Sequence, residues 1–292
     1  MAFLGVGAGV VLLGGCASPL RSPAPMHEDV KRLIPAGTTS LIGVKLAELT
    51  GTELFETSVA PQVDRVLAEF TSRTGVNPRT DIDEFVVAMV AGEPVLVARG
   101  RFKAGALEAR LAAEGLRVVD GVWTREGANS SAGIAIRAGT AVAGPVDAVR
   151  SALSGGRMAA TLEPLLSGVD AVAQVWAVST SDFAQLRAPE RSNLQNLEKI
   201  AGSLRSVTAW ADLRTGIRLR IAGNCAEEDD ARRLHSAIRA LIGMGRLAAR
   251  DNQPDLLKVF DALDVRQEGR LVRASVHLTA DQFTRLRRGI FP

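Results

Sequence analysis

Two stretches of strict alternation put basic side chains on one side of a strand. In Ile217-Arg218-Leu219-Arg220-Ile221 every second residue is Arg, so Arg218 and Arg220 share a face. In Val272-Arg273-Ala274-Ser275-Val276-His277-Leu278 the polar set is Arg273, Ser275 and His277. If the two strands lie in one sheet with their apolar sides toward helices, Arg218, Arg220, Arg273 and His277 form one open face. Such a face could take an anionic group: a phospholipid head, a glycan acid or an acidic partner. The competing account is that alternation simply puts charge into water. No acid or nucleophile can be assigned to His277, so it carries no catalytic expectation.

Other chemistry-bearing groups read as structural. Gly127-Ala128-Asn129-Ser130-Ser131-Ala132-Gly133 lacks the spacing and the strand–turn–helix setting of a nucleophile elbow, and reads as a polar loop between strands. Gly5-Val6-Gly7-Ala8-Gly9 lies in the apolar N-terminal stretch, and no phosphate-loop or Rossmann fingerprint follows a strand. Glu227-Glu228-Asp229-Asp230 opens a long helix, where carboxylates meet the positive end of the dipole. Asp81, Asp83 and Glu84 read as a solvated turn or cap rather than a calcium loop. His27, His235 and His277 are far apart, and Cys16 and Cys225 form no Cys-x-x-Cys, so no metal site and no cofactor are expected. Cys225 reads as a small buried hydrophobe.

The elements that would position these residues come from periodicity. Residues 40–46 read as a strand. Residues 54–74 read as a helix that Pro61 must either start or kink. Residues 85–90 and 95–98 read as strands joined by a short turn, then 103–114 as a helix. Strands follow at 117–124, 133–137 and 140–143, and Pro145 opens a helix. The second half reads as strand 171–179, helix 192–201, hairpin 207–213 with 217–222, and helix 227–250. A helix from Pro254, hairpin 264–267 with 271–278 and helix 281–288 close the chain. Both halves thus read as β-α-β-β-α-β-β-α. The expected class is α+β: two tandem units, residues 35–156 and 157–292, with largely antiparallel sheets and helices on one face.

The chain has 292 residues and a net charge of +3, with 47% hydrophobic residues. That composition excludes wholesale disorder. The basic residues are scattered, without the concentrated stripe and stacking aromatics of a nucleic-acid binder. Residues 2–15 carry no charge. As a helix they span roughly 21 Å, short of the roughly 30 Å hydrocarbon core, which fits a secretory leader. The stretch ends in Leu13-Gly14-Gly15-Cys16, and Ala17-Ser18-Pro19-Leu20-Arg21-Ser22-Pro23-Ala24-Pro25 follows. Leu-Gly-Gly-Cys resembles the lipobox of bacterial lipoproteins. The resemblance implies a signal peptide over residues 1–15, acylation of the Cys16 thiol, and cleavage just before it. It implies a membrane anchor and an extended Pro-rich tether over residues 16–34. Ala17 is not the Asp that signals inner-membrane retention in this class. The implied location is therefore the outer membrane facing the periplasm, if the cell has one.

The functional expectation is a lipid-anchored, non-catalytic binding or structural protein of the cell envelope. Its partners would be the membrane through Cys16 and an envelope protein or amphiphilic ligand, with no nucleic acid. Two alternatives stand beside it: a carrier or sensor of an apolar or amphiphilic ligand, and an envelope hydrolase without a recognisable motif.

Overall fold

The computed structural model describes residues 25–125, 132–180, 202–249 and 254–290. The lipobox with Cys16, most of the 127–133 loop and the helix expected over 192–201 lie outside them.

In chain order the described elements begin with α1 (Glu28–Lys31), β1 (Thr38–Val44) and α2 (Leu46–Thr50). A π-turn at Phe55–Val59 leads into α3 (Ala60–Thr74). Pro61 sits in the first turn of α3, where its missing N–H costs nothing, so it starts the helix. Next come α4 (Pro78–Asp81), β2 (Ile82–Val90), β3 (Glu93–Gly100) and α5 (Ala104–Ala113). Then follow β4 (Leu116–Val119), β5 (Val122–Arg125), β6 (Ala132–Arg137), β7 (Thr140–Pro145), α6 (Val146–Leu153) and α7 (Glu163–Ser167). The second half has β8 (Val175–Ser179), β9 (Leu204–Asp212), β10 (Gly216–Cys225), α8 (Glu228–Ala248) and α9 (Pro254–Ala262). It ends with β11 (Asp264–Glu268), β12 (Leu271–Thr279) and α10 (Ala280–Ile290). The strand expected over 117–124 is a hairpin, because Asp120 and Gly121 both take positive φ, 52° and 78°. Two such residues close a two-residue turn that matches strand twist.

The class is α+β, with helices packed on an antiparallel sheet. The strands form one sheet of twelve, ordered β11-β12-β10-β9-β8-β1-β2-β3-β7-β6-β5-β4. Separate sheets for the two halves do not occur, because β1 pairs with β8 over five residues, Ser40↔Ser179 to Val44↔Val175. That long-range pairing leaves no edge at the centre.

Helices pack on both sides of the sheet, which corrects the one-face expectation. One side, the core face, carries Leu41, Val86, Val97, Val142, Trp176, Val178 and Trp210, all buried. Val30 and Ile34 around α1, Val149 and Ala152 of α6, and Leu166 of α7 close over it. On the opposite, outer face, Leu49 of α2, Phe55 and Ala60 at the start of α3 pack on Val44 and Val175. Also there, α8 sets Ala231, Leu234 and Ile238 against Val272 and Val265. The reason is composition: β1, β2 and β3 are apolar on both faces, and each face must find cover.

Candidate functional site

The basic strand face exists as a register. Arg218 lies opposite His277, Arg220 opposite Ser275, and Arg273 opposite Ala222. Residues opposite each other in an antiparallel pair point the same way, so all four candidates share a side. They continue the core face beyond the helices that cover it. Arg220, Arg273 and Ser275 line a depression of about 350 Å³ with Asp264, Arg266 and Glu268.

Carboxylates occupy most of that face. Asp212 accepts from Arg218 at 2.6 Å and from Arg214 Nε at 2.9 Å. Its side chain is 5% exposed. The Arg214 and Arg218 hydrogen bonds hold its carboxyl far below the usual carboxylate range, against the opposing effect of burial. Arg273 pairs with Glu268 at 2.7 Å and Arg266 with Asp264 at 2.8 Å. Arg220 instead stacks over the Trp210 ring at 5.4 Å, with Arg218 at 6.0 Å from it. Trp210 is 4% exposed, and its indole N–H has no hydrogen-bond partner. His277 is brought opposite Arg218. The alternation was readable in the sequence; Asp212, which pairs with Arg214 and Arg218, and Glu268, which pairs with Arg273, lie two to six residues away in the same hairpins, outside the alternating pattern that marked the arginines.

Of the acids read as a solvated turn or cap, Asp81 keeps a cap role, while Asp83 and Glu84 do different work. Glu84 is buried. It accepts from Arg99 Nε at 2.7 Å and from the His27 backbone N–H at 3.2 Å. Asp83 takes the other side of the Arg99 guanidinium at 3.1 Å. Asp81 accepts from the Asn77 N–H at 2.8 Å. Among the described residues no cluster of His, Cys, Asp or Glu could hold a metal. Burial pushes the Cys225 thiol up; it is a free, buried cysteine, so its thiolate is scarce and unreactive. His235 is half-buried on α8.

Together Glu84 and Trp176 dock the start of the described chain. Trp176 Nε1 donates to the Pro25 carbonyl at 3.1 Å, and Met26 is buried in the core. Residue 25 is thereby fixed at one end of the core face.

The surface that sequence reading missed is on the outer face. One register row crosses all twelve strands, starting Val265, Ala274, Ile221, Ala209, Ala177 and Ile42. It continues Val87, Leu96, Ala143, Ile134, Trp123 and Val118. Every member is apolar. Helices cover only parts of this face: Ile221 is 43%, Ile42 46% and Leu96 38% exposed. The helices on that side leave apolar groups in the open too, with Val66 and Phe70 on α3 and Met244 and Leu247 on α8. The signal was present in the strands that are apolar on both faces, but it needed the register to become a row.

No protein-family model and no curated protein matches the chain. Among solved structures, crystal form IV of TP0453 is similar with a TM-score of 0.47 and 10% identity, over 88% of this chain and 95% of that one.

Proposed function

We propose that this chain is a lipid-anchored, non-catalytic binding protein of the cell envelope, acylated on Cys16. The carrying observation is the apolar row of the outer face, which helices cover only in part and which leaves Ile42, Leu96 and Ile221 in the open. An exposed apolar strip of this kind is a recognition surface or a liability, and soluble monomers keep such patches small. The anchor rests on the Leu13-Gly14-Gly15-Cys16 resemblance; with Pro25 and Met26 docked on the body, such an anchor would set the body's position at the membrane. Intact mass of membrane-extracted protein tests it. The expected result is loss of residues 1–15 with added acyl mass on Cys16, absent in Cys16→Ser. Unmodified mass in both sinks it.

A second reading uses the same face to carry a single apolar or amphiphilic molecule. Ala177 and Ala209 lie side by side in the row between Ile42 and Ile221, so small residues there are flanked by large ones. Organic extraction of purified protein followed by mass spectrometry separates the two readings: a stoichiometric lipid beyond the Cys16 acyl chains favours the carrier.

The strand order also supports duplication of one unit. Outward from the centre it runs β1, β2, β3, β7, β6 on one side and β8, β9, β10, β12, β11 on the other. These are the same sequential pattern, with β4–β5 as an added hairpin in the first unit.

A further inference from the structure

Helices α3 and α8, with 15 and 21 residues, are long among the described helices, and each buries a single residue fully, Ala60 and Ala231. Both sit on the outer face. On α8, Leu234, Ile238 and Gly245 point to the sheet and to Phe260. Helical spacing places Ala237, Ala240, Leu241, Met244 and Leu247 along one flank. Met244 is 56% and Leu247 88% exposed. Residues 236–248 contain Arg239 and Arg246 but no Asp or Glu. On α3, Val66 at 65% and Phe70 at 41% extend the stripe that begins with packed Val63.

A strongly amphipathic helix of low net hydrophobicity, cationic on its polar side, is built to lie in a membrane interface. The acids of α8, Glu228, Asp229 and Asp230, sit in its first turn beside Arg232 and Arg233, and Arg246 pairs with Asp261. Among the described residues the surplus cation of the exposed C-terminal half is therefore Arg239, and it favours anionic headgroups there. The second constraint is the tether. Nine residue steps lead from Cys16 to Pro25, a reach of about 28 Å in extended form. From the core face round to the outer side of one helix layer is roughly 20 Å. A second copy is disfavoured as the occupant. Two sheet faces pack about 10 Å apart, and α3 and α8 stand on this face beside the row.

We propose that the apolar flanks of α8 and α3 dock on the leaflet that holds the anchor, an anionic phospholipid surface, laying the outer face against the membrane. The orientation rests on acylation at Cys16; contact by the helices does not.

The test uses full-length protein in phosphatidylcholine vesicles with and without phosphatidylglycerol. Single cysteines carrying an environment-sensitive fluorophore replace Leu247, Val66 and, as control, Asp147, which is 98% exposed on α6; Cys225 is buried and unreactive. Labels at 247 and 66 should blue-shift and be quenched by lipid-borne quenchers, more strongly with the anionic lipid and less at high salt, while 147 stays wet. Met244→Asp with Leu247→Asp should reduce quenching at 66 by about tenfold. Labels at 247 and 66 as wet as 147 overturn the proposal, as does a blue shift that needs no lipid and grows with protein concentration, which would mark a second copy. Intact mass of the same sample reports the anchor separately. In a Cys16→Ser background, where the introduced cysteine is the one reactive thiol, quenching keeps the docking and removes the anchor; acyl mass with wet labels in the acylated protein does the reverse.

Discussion

An added Cβ at Gly43 would fall inside the indole of Trp176, its cross-strand neighbour. Trp176 in turn holds Pro25, so one absent side chain makes room for the ring that fixes the start of the body. Gly43→Ala should destabilise the fold by about 2–3 kcal/mol through overpacking, read as a lower urea midpoint at unchanged slope. The same residue-level logic gives Asp212 a pH signature. Its folded carboxyl ionises well below the unfolded reference near 3.9. The stability it contributes is complete above about pH 5 and is lost as pH falls toward the folded value. Its arginine partners are half exposed, so water screens the pairs, and of the order of 1–2 kcal/mol is at stake. Asp212→Asn should lose that amount at pH 7 and show a flatter stability profile between about pH 5 and pH 2. Urea titrations across that range check it; parallel profiles would assign the stability elsewhere.

At the scale of elements, α3 and α8 are held by one side and open on the other. Substituting their exposed apolar residues should therefore leave the fold alone. Val66→Ser and Leu247→Ser should each change stability by less than about 0.5 kcal/mol, whereas Ala231→Ser, at a fully buried contact with the sheet, should cost about 1–2 kcal/mol. Chemical denaturation of the three variants measures the contrast, and a large loss at Leu247 would mean that its side chain is structural. Most hairpins and both of these helices were legible from alternation and 3.6-residue spacing, because those signals are local. Three things were not. The β1–β8 pairing joins residues more than a hundred positions apart and leaves no mark on either strand. Glu84 read as a solvated cap because its partner Arg99 lies across a hairpin and its other donor, His27, belongs to the docked N-terminal segment. The apolar outer row needed eleven strand pairings at once. The basic face of β10 and β12 was found because it needed only one.

For the whole molecule, the deciding fact is that one core serves both halves. Leu41, Val97 and Val149 from the first half pack in the same cluster as Leu162, Leu166, Trp176 and Trp210 from the second. Separating the halves would strip cover from β1 and β8 on a shared face, so neither half keeps its core alone. Unfolding should then be cooperative around the centre. Tryptophan emission, dominated by buried Trp176 and Trp210, and far-UV circular dichroism should follow coincident urea transitions; two separated transitions would show that each half stands by itself. Cooperativity should weaken toward the β11 edge. There the cluster under α8 has only Cys225, Ala231 and Val272 fully buried, against the large cluster at the centre. Local opening free energy scales with buried apolar contact. Backbone amides of β11, β12 and α8 should therefore exchange with deuterium well before those of β1, β2 and β8. Uniform protection across the sheet would mean that something other than the described core holds that edge. If lipid docks on α8, protection there should rise in the presence of anionic vesicles while the centre stays unchanged, because only the weakly held end has stability to gain.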